Sequence, residues 1–559
     1  MRLLHSLAKT HASFDDPNLV SQAGLVPVMG LAQRAGLGEL VAEHVRPGGE
    51  CGVNAAVKLP CLVAGMAAGA DSINDMDLLR HGAMTSLFGG VRAPSTLGSH
   101  LRCYTWGNVA QLERAGREFL VNLAGQAPLL PGADVLAFID IDSMQKRVYG
   151  HKKQGARFGH TKIQGKSLLV RGLNALAATI STPIAAPVIA ATRLRGGNAA
   201  SARGAASLAA RAIGTARDCG CTGTIIVRLD SAFYNAAVIG AVRRGGARFS
   251  VTVPLNASIR AAIAAIGEDA WTPIRYPRAI WDDQLDAWIS DAEVAEVEYT
   301  AFASKKGQAV TARLIVRRVR DLNKKAADGQ DELFPVWRYH AVFTDSPFEL
   351  IQAEGQHRDH AVVEQVFADV TSGPLAHMPS GVFAANAAWL SIAAMTHNLV
   401  RAAGALARLP FAKARGATIR RDLIAQRRGV VPALYKDAVL AGRASIERER
   451  DRAGSEPGDV RPIPGGAVLE VRGEHGLRLY LFLVRDQQVE TEGLQQVLPV
   501  EDAEPHPRRA HGAGHDQLKG HQAGWAFGRH VQGLRPLAEH AHDVAEQGDL
   551  HVVTAAVVR

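Results

Sequence analysis

Two short runs of β-branched and aromatic residues, VLAFIDID at 135–142 and IIVRLDSAFYN at 225–235, each lead straight into aspartate. Runs of this type and length read as buried strands. Between them lie two further apolar runs, 173–180 and 187–194, and an alanine-rich helical stretch at 199–216. A helix at 235–244 and a strand at 248–253 follow. Such alternation predicts an α/β layer, and in α/β layers ligand chemistry gathers at the carboxyl ends of the strands. Asp142 and Asp230 stand at two such ends. A third acidic position, Glu364, lies in HRDHAVVEQVFADV, where Val363, Val366, Phe367 and Val370 repeat at helical spacing and put the glutamate on the flank of a buried stripe.

Strand-end Asp, strand-end Asp and helical Glu form the ligand set expected of a magnesium phosphoryl-transfer site. Carboxylates brought close together raise one another's pKa unless a cation offsets them. Magnesium takes oxygen ligands and keeps positions open for phosphate, and a pair of such ions serves in-line displacement at phosphorus. The charge balance agrees: 63 Lys and Arg against 54 Asp and Glu give +9, an excess that favours a polyanionic partner. It is concentrated beside the first aspartate. From Lys146 to Arg171 there are eight basic residues (Lys146, Arg147, Lys152, Lys153, Arg157, Lys162, Lys166, Arg171) and no acidic one. Next to a carboxylate cluster, this run is expected to hold a phosphate backbone.

The rest of the 559 residues divides by texture. Residues 1–130 read as a helical N-terminal region, and 131–254 as the first part of the α/β domain. A β-rich insertion with Trp271, Trp281, Trp288 and Trp337 spans 255–345, and 346–423 returns to the domain with the glutamate helix. The four tryptophans read either as core packing of the insertion or as a surface that stacks on an unpaired base. The tail, 424–559, is rich in Pro, Gly, His and Arg and reads as a shifted reading frame or a loosely ordered segment, with LRLYLFLV its one clear strand. Val382–Val400 is uncharged, but Asn386, Ser391, Thr396, His397 and Asn398 make it a buried core helix rather than a membrane span. The five cysteines (Cys51, Cys61, Cys103, Cys219, Cys221) are scattered and read as unpaired thiols of a reducing compartment. With no signal-peptide pattern at the N-terminus, a cytoplasmic location is expected.

The segments FIDIDSMQKRVYGHKKQGARFGHTKIQGKSLLV, IIVRLDSAFYN and HRDHAVVEQVFADV resemble, in this order, the three catalytic blocks of DDE insertion-sequence transposases. The chain looks like the actinobacterial branch of the thirteen-eighty insertion-sequence family, from about residue 13 to about residue 423. This resemblance implies an RNase H-like fold interrupted by the β-rich insertion. It also implies metal-dependent cleavage at element ends followed by strand transfer into target DNA. By the same resemblance Asp142, which precedes Ser143 as in the family's first motif, is the first catalytic aspartate, Asp230 the second and Glu364 the glutamate, together holding two Mg2+ or Mn2+ ions. Asp140, two residues earlier on the same strand face, competes with Asp142 for the first role. Where the wider class has Tyr, Arg and Lys on the glutamate helix, this chain has His357, His360 and Thr371. His357, Arg358 and His360 are then expected to contact DNA along with Lys146, Arg147, Lys152, Lys153, Arg157 and Lys162. The implied partners are double-stranded DNA, as inverted repeats and target, and a second copy of the chain on that DNA, near the nucleoid. A nuclease of the same fold without strand transfer, and an inactive DNA-binding descendant of a transposase, are the alternatives.

Overall fold

The central strand β1 (Leu136–Arg147) owes its place to alternation: Ala137, Ile139 and Ile141 are buried on one face, while Phe138, Asp140 and Asp142 line the other. The computed structural model describes residues 19–163, 166–274, 280–284, 287–288, 292–304, 306–320, 337–407 and 410–426, with strand segments at 428–429, 460–463, 466–472, 478–485 and 550–558. After β1 come β2 (Arg157–Ile163), β3 (Lys166–Ser181), β4 (Val188–Gly196), β5 (Thr224–Leu229) and β6 (Arg248–Thr252). They are followed by β7 (Thr272–Ile274), β8 (Ala292–Ala301), β9 (Val310–Arg320) and β10 (Trp337–Thr344). All ten join one mixed sheet in the order β2-β3-β1-β5-β6-β10-β9-β8-β7, with β4 also on β3.

Within it, β4-β3-β1-β5-β6 is the arrangement of an RNase H-like sheet. The strands β1, β3 and β4 form an antiparallel meander, and β5 and β6 are parallel to β1. The β-rich segment expected as an insertion continues this same sheet, because β10 pairs antiparallel with β6 through Val342 and Thr252. Strand β2 was hidden in the basic, glycine-rich stretch. Where β1, β3 and the end of β4 meet beside it, backbones come so close that a Cβ on Gly172 would lie 2.3 Å from the Lys146 carbonyl oxygen, and one on Gly197 2.1 Å from that of Gly172. Glycine is needed at both positions.

The helices run α1 (Leu25–Arg34), α2 (Leu37–His44), α3 (Ala55–Ala68), α4 (Pro94–Arg102), α5 (Trp106–Gln126), α6 (Ala205–Asp218), α7 (Ala236–Arg244), α8 (Leu350–Arg358), α9 (Val362–Thr371) and α10 (Phe383–Leu406). Helix α10 is the buried helix expected at Val382–Val400. Its polar side chains all find partners: Asn398 accepts from Ile189 N–H (2.7 Å) and donates to Ile189 C=O (2.8 Å), like one more ladder rung on β4. Trp389 donates to Pro374 C=O, and Asn386, Ser391, Thr396 and His397 bond nearby backbone groups. Helices α3 and α5 pack on this helix as β4 does, so residues 20–427 make one compact unit. Among the described residues, no helix is long and apolar enough to cross a membrane.

One sequence expectation is corrected in the N-terminal helices. Cys51 and Cys103 are not unpaired thiols; they form a disulfide with Cα atoms 6.3 Å apart. Fifty-two residues separate them, and only the packing of the turn Glu50–Gly52 against α4 brings them together. Cys61, Cys219 and Cys221 are free.

In the tail, Val460–Ile463, Gly466–Arg472, Arg478–Arg485 and Leu550–Val558 form a four-stranded antiparallel sheet. The third of these covers the LRLYLFLV run.

Candidate active site

Parallel pairing of β1 with β5 puts Asp140 opposite Arg228. Two residues further along each chain come Asp142 and Asp230, so the two aspartates leave neighbouring strands, about 5 Å apart in backbone, on the same side of the sheet. Asp142 is partly buried at the point where β1 begins to emerge from the core. One of its oxygens accepts from the Ser143 N–H at 2.6 Å. Asp230 ends β5 and caps the short turn Ser231–Phe233, accepting from the Ala232 N–H at 3.0 Å. Glu364 is exposed in the first turn of α9, beside the buried stripe Val363, Val366 and Val370 by which that helix lies on the sheet.

Asp142 feels the charge of both other carboxylates. Burial, followed by the negative charges of Asp230 and Glu364, pushes the Asp142 carboxyl up to about 6, against opposing pulls from the Ser143 N–H and His360. A buried carboxyl repelled by two others is a set of hard oxygen donors short of positive charge, which fits a divalent cation of the magnesium type. Among the described residues, no three His, Cys, Asp or Glu side chains are already gathered around one point as a ligand cage. The arrangement is an electrostatic cluster, with Asp142 and Asp230 each still turned to a backbone N–H.

Asp140, the competing first aspartate, has a different environment. It is 0% exposed, and both its oxygens are engaged. Arg228 donates to them through Nε (2.6 Å) and Nη2 (2.7 Å), and His360 donates through Nδ1 (2.9 Å). Burial opposes its charge, yet the Arg228 guanidinium and the hydrogen bonds from His360 and Arg228 hold its carboxyl below the usual range. The third arm of Arg228, Nη1, donates to Gln356 C=O at 2.6 Å, and the guanidinium lies 4.0 Å from the centre of the Phe138 ring. Arg228 was missed in the sequence reading. An arginine in the middle of the apolar run IIVRLD signals a buried partner, because a buried guanidinium needs one.

The helix side chains expected on DNA are turned mostly inward. The ring nitrogens of His357 both meet hydroxyls, Nδ1 that of Ser250 and Nε2 that of Thr252, each at 2.9 Å. Burial, with His360 and Arg228 adding to it, pushes this imidazole down to about 3, so it is neutral and offers no cation to a phosphate. His360 is committed through Nδ1 to Asp140. Arg358 donates through Nε to Glu354 (3.1 Å), which also pairs with Arg317. Thr371 bonds back to Phe367 C=O within its own helix.

The basic stretch divides in two. Lys153 donates to Met378 C=O at 2.6 Å and Arg171 holds the loop through Gly150 C=O and His151 C=O, so these two stabilise the chain's own path, while Lys146 is partly buried. Arg147, Lys152 and Arg157 are exposed along the β1–β2 connection, with Arg147 5.0 Å from the centre of the Tyr149 ring and Arg157 donating to Ala156 C=O. The side chains of Lys162 and Lys166 lie outside the described residues, as do those of Trp288 and the tail histidines. Of the other tryptophans, Trp271 and Trp337 clasp the Arg318 guanidinium at 4.2 and 4.4 Å, and Trp281 is largely exposed.

No curated protein matches the chain. A protein family described as transposase DDE domain group 1 matches residues 4–427, which takes in the whole ten-stranded sheet, Asp142 within β1 (not at its end, as the sequence suggested), Asp230 and the helix of Glu364. The match spans well over half of the sequence, and the chain belongs to the transposase DDE domain group 1 family.

Proposed function

We propose that this protein is a DNA transposase that cuts the ends of its element and joins them to target DNA, with Asp142, Asp230 and Glu364 as its metal-holding carboxylates. One observation carries the assignment: the Asp142 carboxyl, midway along β1, is pushed up by burial and then by the charges of both Asp230 and Glu364, which come from points 88 and 222 residues away in the sequence. Asp140 is better read as support, because it is fully buried with both oxygens already bonded inside the protein.

Two divalent ions bound there would offset the carboxylate repulsion and act as Lewis acids on the scissile phosphodiester. The chain itself supplies position. Asp142 and Asp230 fix two donors on rigid neighbouring strands, and Glu364 closes the set from a helix packed on the sheet. Arg147, Lys152 and Arg157 lie exposed downstream of Asp142, where they can hold backbone phosphates on either side of the cleavage point. In the first step water attacks phosphorus and the bond to the 3′ oxygen of the element end breaks, leaving a 3′-hydroxyl. In the second, that hydroxyl attacks a target phosphodiester and one phosphorus–oxygen bond replaces another, so no ATP is consumed.

Asp230→Ala tests this reading. The variant is expected to lose excision in cells and cleavage in vitro while still shifting element-end DNA in gels. Cleavage at the wild-type rate would overturn the assignment. Supplying a pre-cut end to the wild type separates a transposase, which joins it to target DNA, from a nuclease, which does not.

A further inference from the structure

Beneath the three carboxylates lies a second triad of opposite design. Asp140 stands two residues before Asp142 on β1, Arg228 two residues before Asp230 on β5, and His360 four residues before Glu364 on the helical segment. Strand alternation gives the first two pairs a common face, and four residues are about one helical turn. Each member of the lower set is therefore tied to one member of the upper set by the shortest repeat its backbone allows.

The lower set is also closed on itself. Both oxygens of Asp140 and all three nitrogens of Arg228 are engaged, at 2.6 to 2.9 Å, with one another, with His360 Nδ1 and with the Gln356 carbonyl. Asp140 and Arg228 are 0% and 2% exposed, and Phe138 covers the guanidinium. Asp140 and Arg228 are thus turned on one another and shut away from any substrate by burial. Nor does net stability explain the arrangement, because a buried ion pair roughly breaks even against apolar packing of the same shape. What it does impose is uniqueness, since only one registration of β1, β5 and the 356–360 segment satisfies every group.

We infer that Asp140, Arg228 and His360 are positioning residues that set the spacing of Asp142, Asp230 and Glu364 for divalent-ion binding. This rests on the proposed metal site and deepens it. His360 is the joint through which helix α9 is registered to the strands, and it works by presenting a nitrogen donor at the Nδ1 position to Asp140.

The test is Mn2+ binding to the full chain by isothermal titration calorimetry, with urea midpoints measured alongside. His360→Asn keeps a nitrogen donor near the Nδ1 position, while His360→Gln carries its nitrogen one bond further out, at the place of Nε2; both are polar and close in size to histidine. His360→Asn is expected to bind Mn2+ within about threefold of the wild type, and His360→Gln about tenfold more weakly, at unchanged urea midpoints. Asp142→Asn serves as control and should lose Mn2+ binding altogether. If Asp142→Asn loses the ion but both His360 variants bind as the wild type does, or lose affinity equally, the positioning role is refuted while the metal site stands. If Asp142→Asn binds Mn2+ normally, the site itself is misassigned.

Discussion

Asp142→Asn is expected to stabilise the metal-free protein, because the aspartate is held where its charge is unwelcome. Its carboxyl is raised from an ordinary 3.8 to about 6, first by burial and then by Asp230 and Glu364. A carboxyl raised in the folded state costs nothing while both states are protonated, and it lowers stability as pH climbs from the unfolded value to the folded one, because over that window only the unfolded chain gives up its proton. At about 1.4 kcal/mol per pH unit, the charged side chain costs about 3 kcal/mol at pH 8, about half that at pH 5, and nothing well below pH 4. Asparagine has the same shape and no charge, so the variant recovers this amount. Urea unfolding followed by tryptophan fluorescence, in the presence of EDTA, should show a higher midpoint for Asp142→Asn at pH 8 and a smaller gain at pH 5. A variant less stable than the wild type at pH 8, or a gain that does not change with pH, would refute the electrostatic argument. A residue retained against such a cost is retained for binding or chemistry.

Three further outcomes are expected. Asn398→Leu leaves the Ile189 N–H and C=O without their partner under α10, and should lower stability by about 2–4 kcal/mol, read as a drop in urea midpoint; a change under about 0.5 kcal/mol would mean that the strand re-pairs elsewhere. Cys51→Ser opens a loop of 52 residues and should cost up to about 4 kcal/mol in the chain-entropy account. Dithiothreitol should produce the same loss of thermal stability in the wild type and none in the variant. Lys152→Ala combined with Arg157→Ala should weaken binding to any DNA sequence and reduce the slope of log affinity against log salt by about 2, measured by fluorescence anisotropy from 50 to 200 mM salt. An unchanged slope would put the phosphate contacts elsewhere.

The strands that carry Asp142 and Asp230 were readable because each is a compact β-branched run with its own stop, and helix α10 because its apolar stretch is too polar in detail for lipid. What escaped was whatever depends on pairing across long separations. Strand β2 interrupts Phe158, Thr161 and Ile163 with Arg157, Gly159, His160 and Lys162, and its ladder with β3 makes it a strand. The β-rich segment looked self-contained, since nothing in its composition reveals that β10 will bond to β6. His357 and His360 occupy the places where a phosphate grip was expected, and two hydroxyls on β6 and the buried Asp140 turn them inward. What distinguishes the surroundings of Asp140 from those of Asp142 is Arg228, which lies 88 residues downstream of Asp140 yet beside it in the sheet. The family match ends at 427 and the compact unit at the same residue, close to where the sequence changes texture.

Helix α10 also governs when the molecule can mature. The N-terminal helices α3 and α5 and the strand β4 all rest on it, yet it is nearly the last part of the compact unit to be synthesised. At about 5–20 residues per second, the ribosome carries unsatisfied apolar surfaces for roughly 20–80 seconds before residue 406 emerges. A product truncated anywhere ahead of Phe383 lacks the helix on which α3, α5 and β4 rest, and its layers stay unjoined.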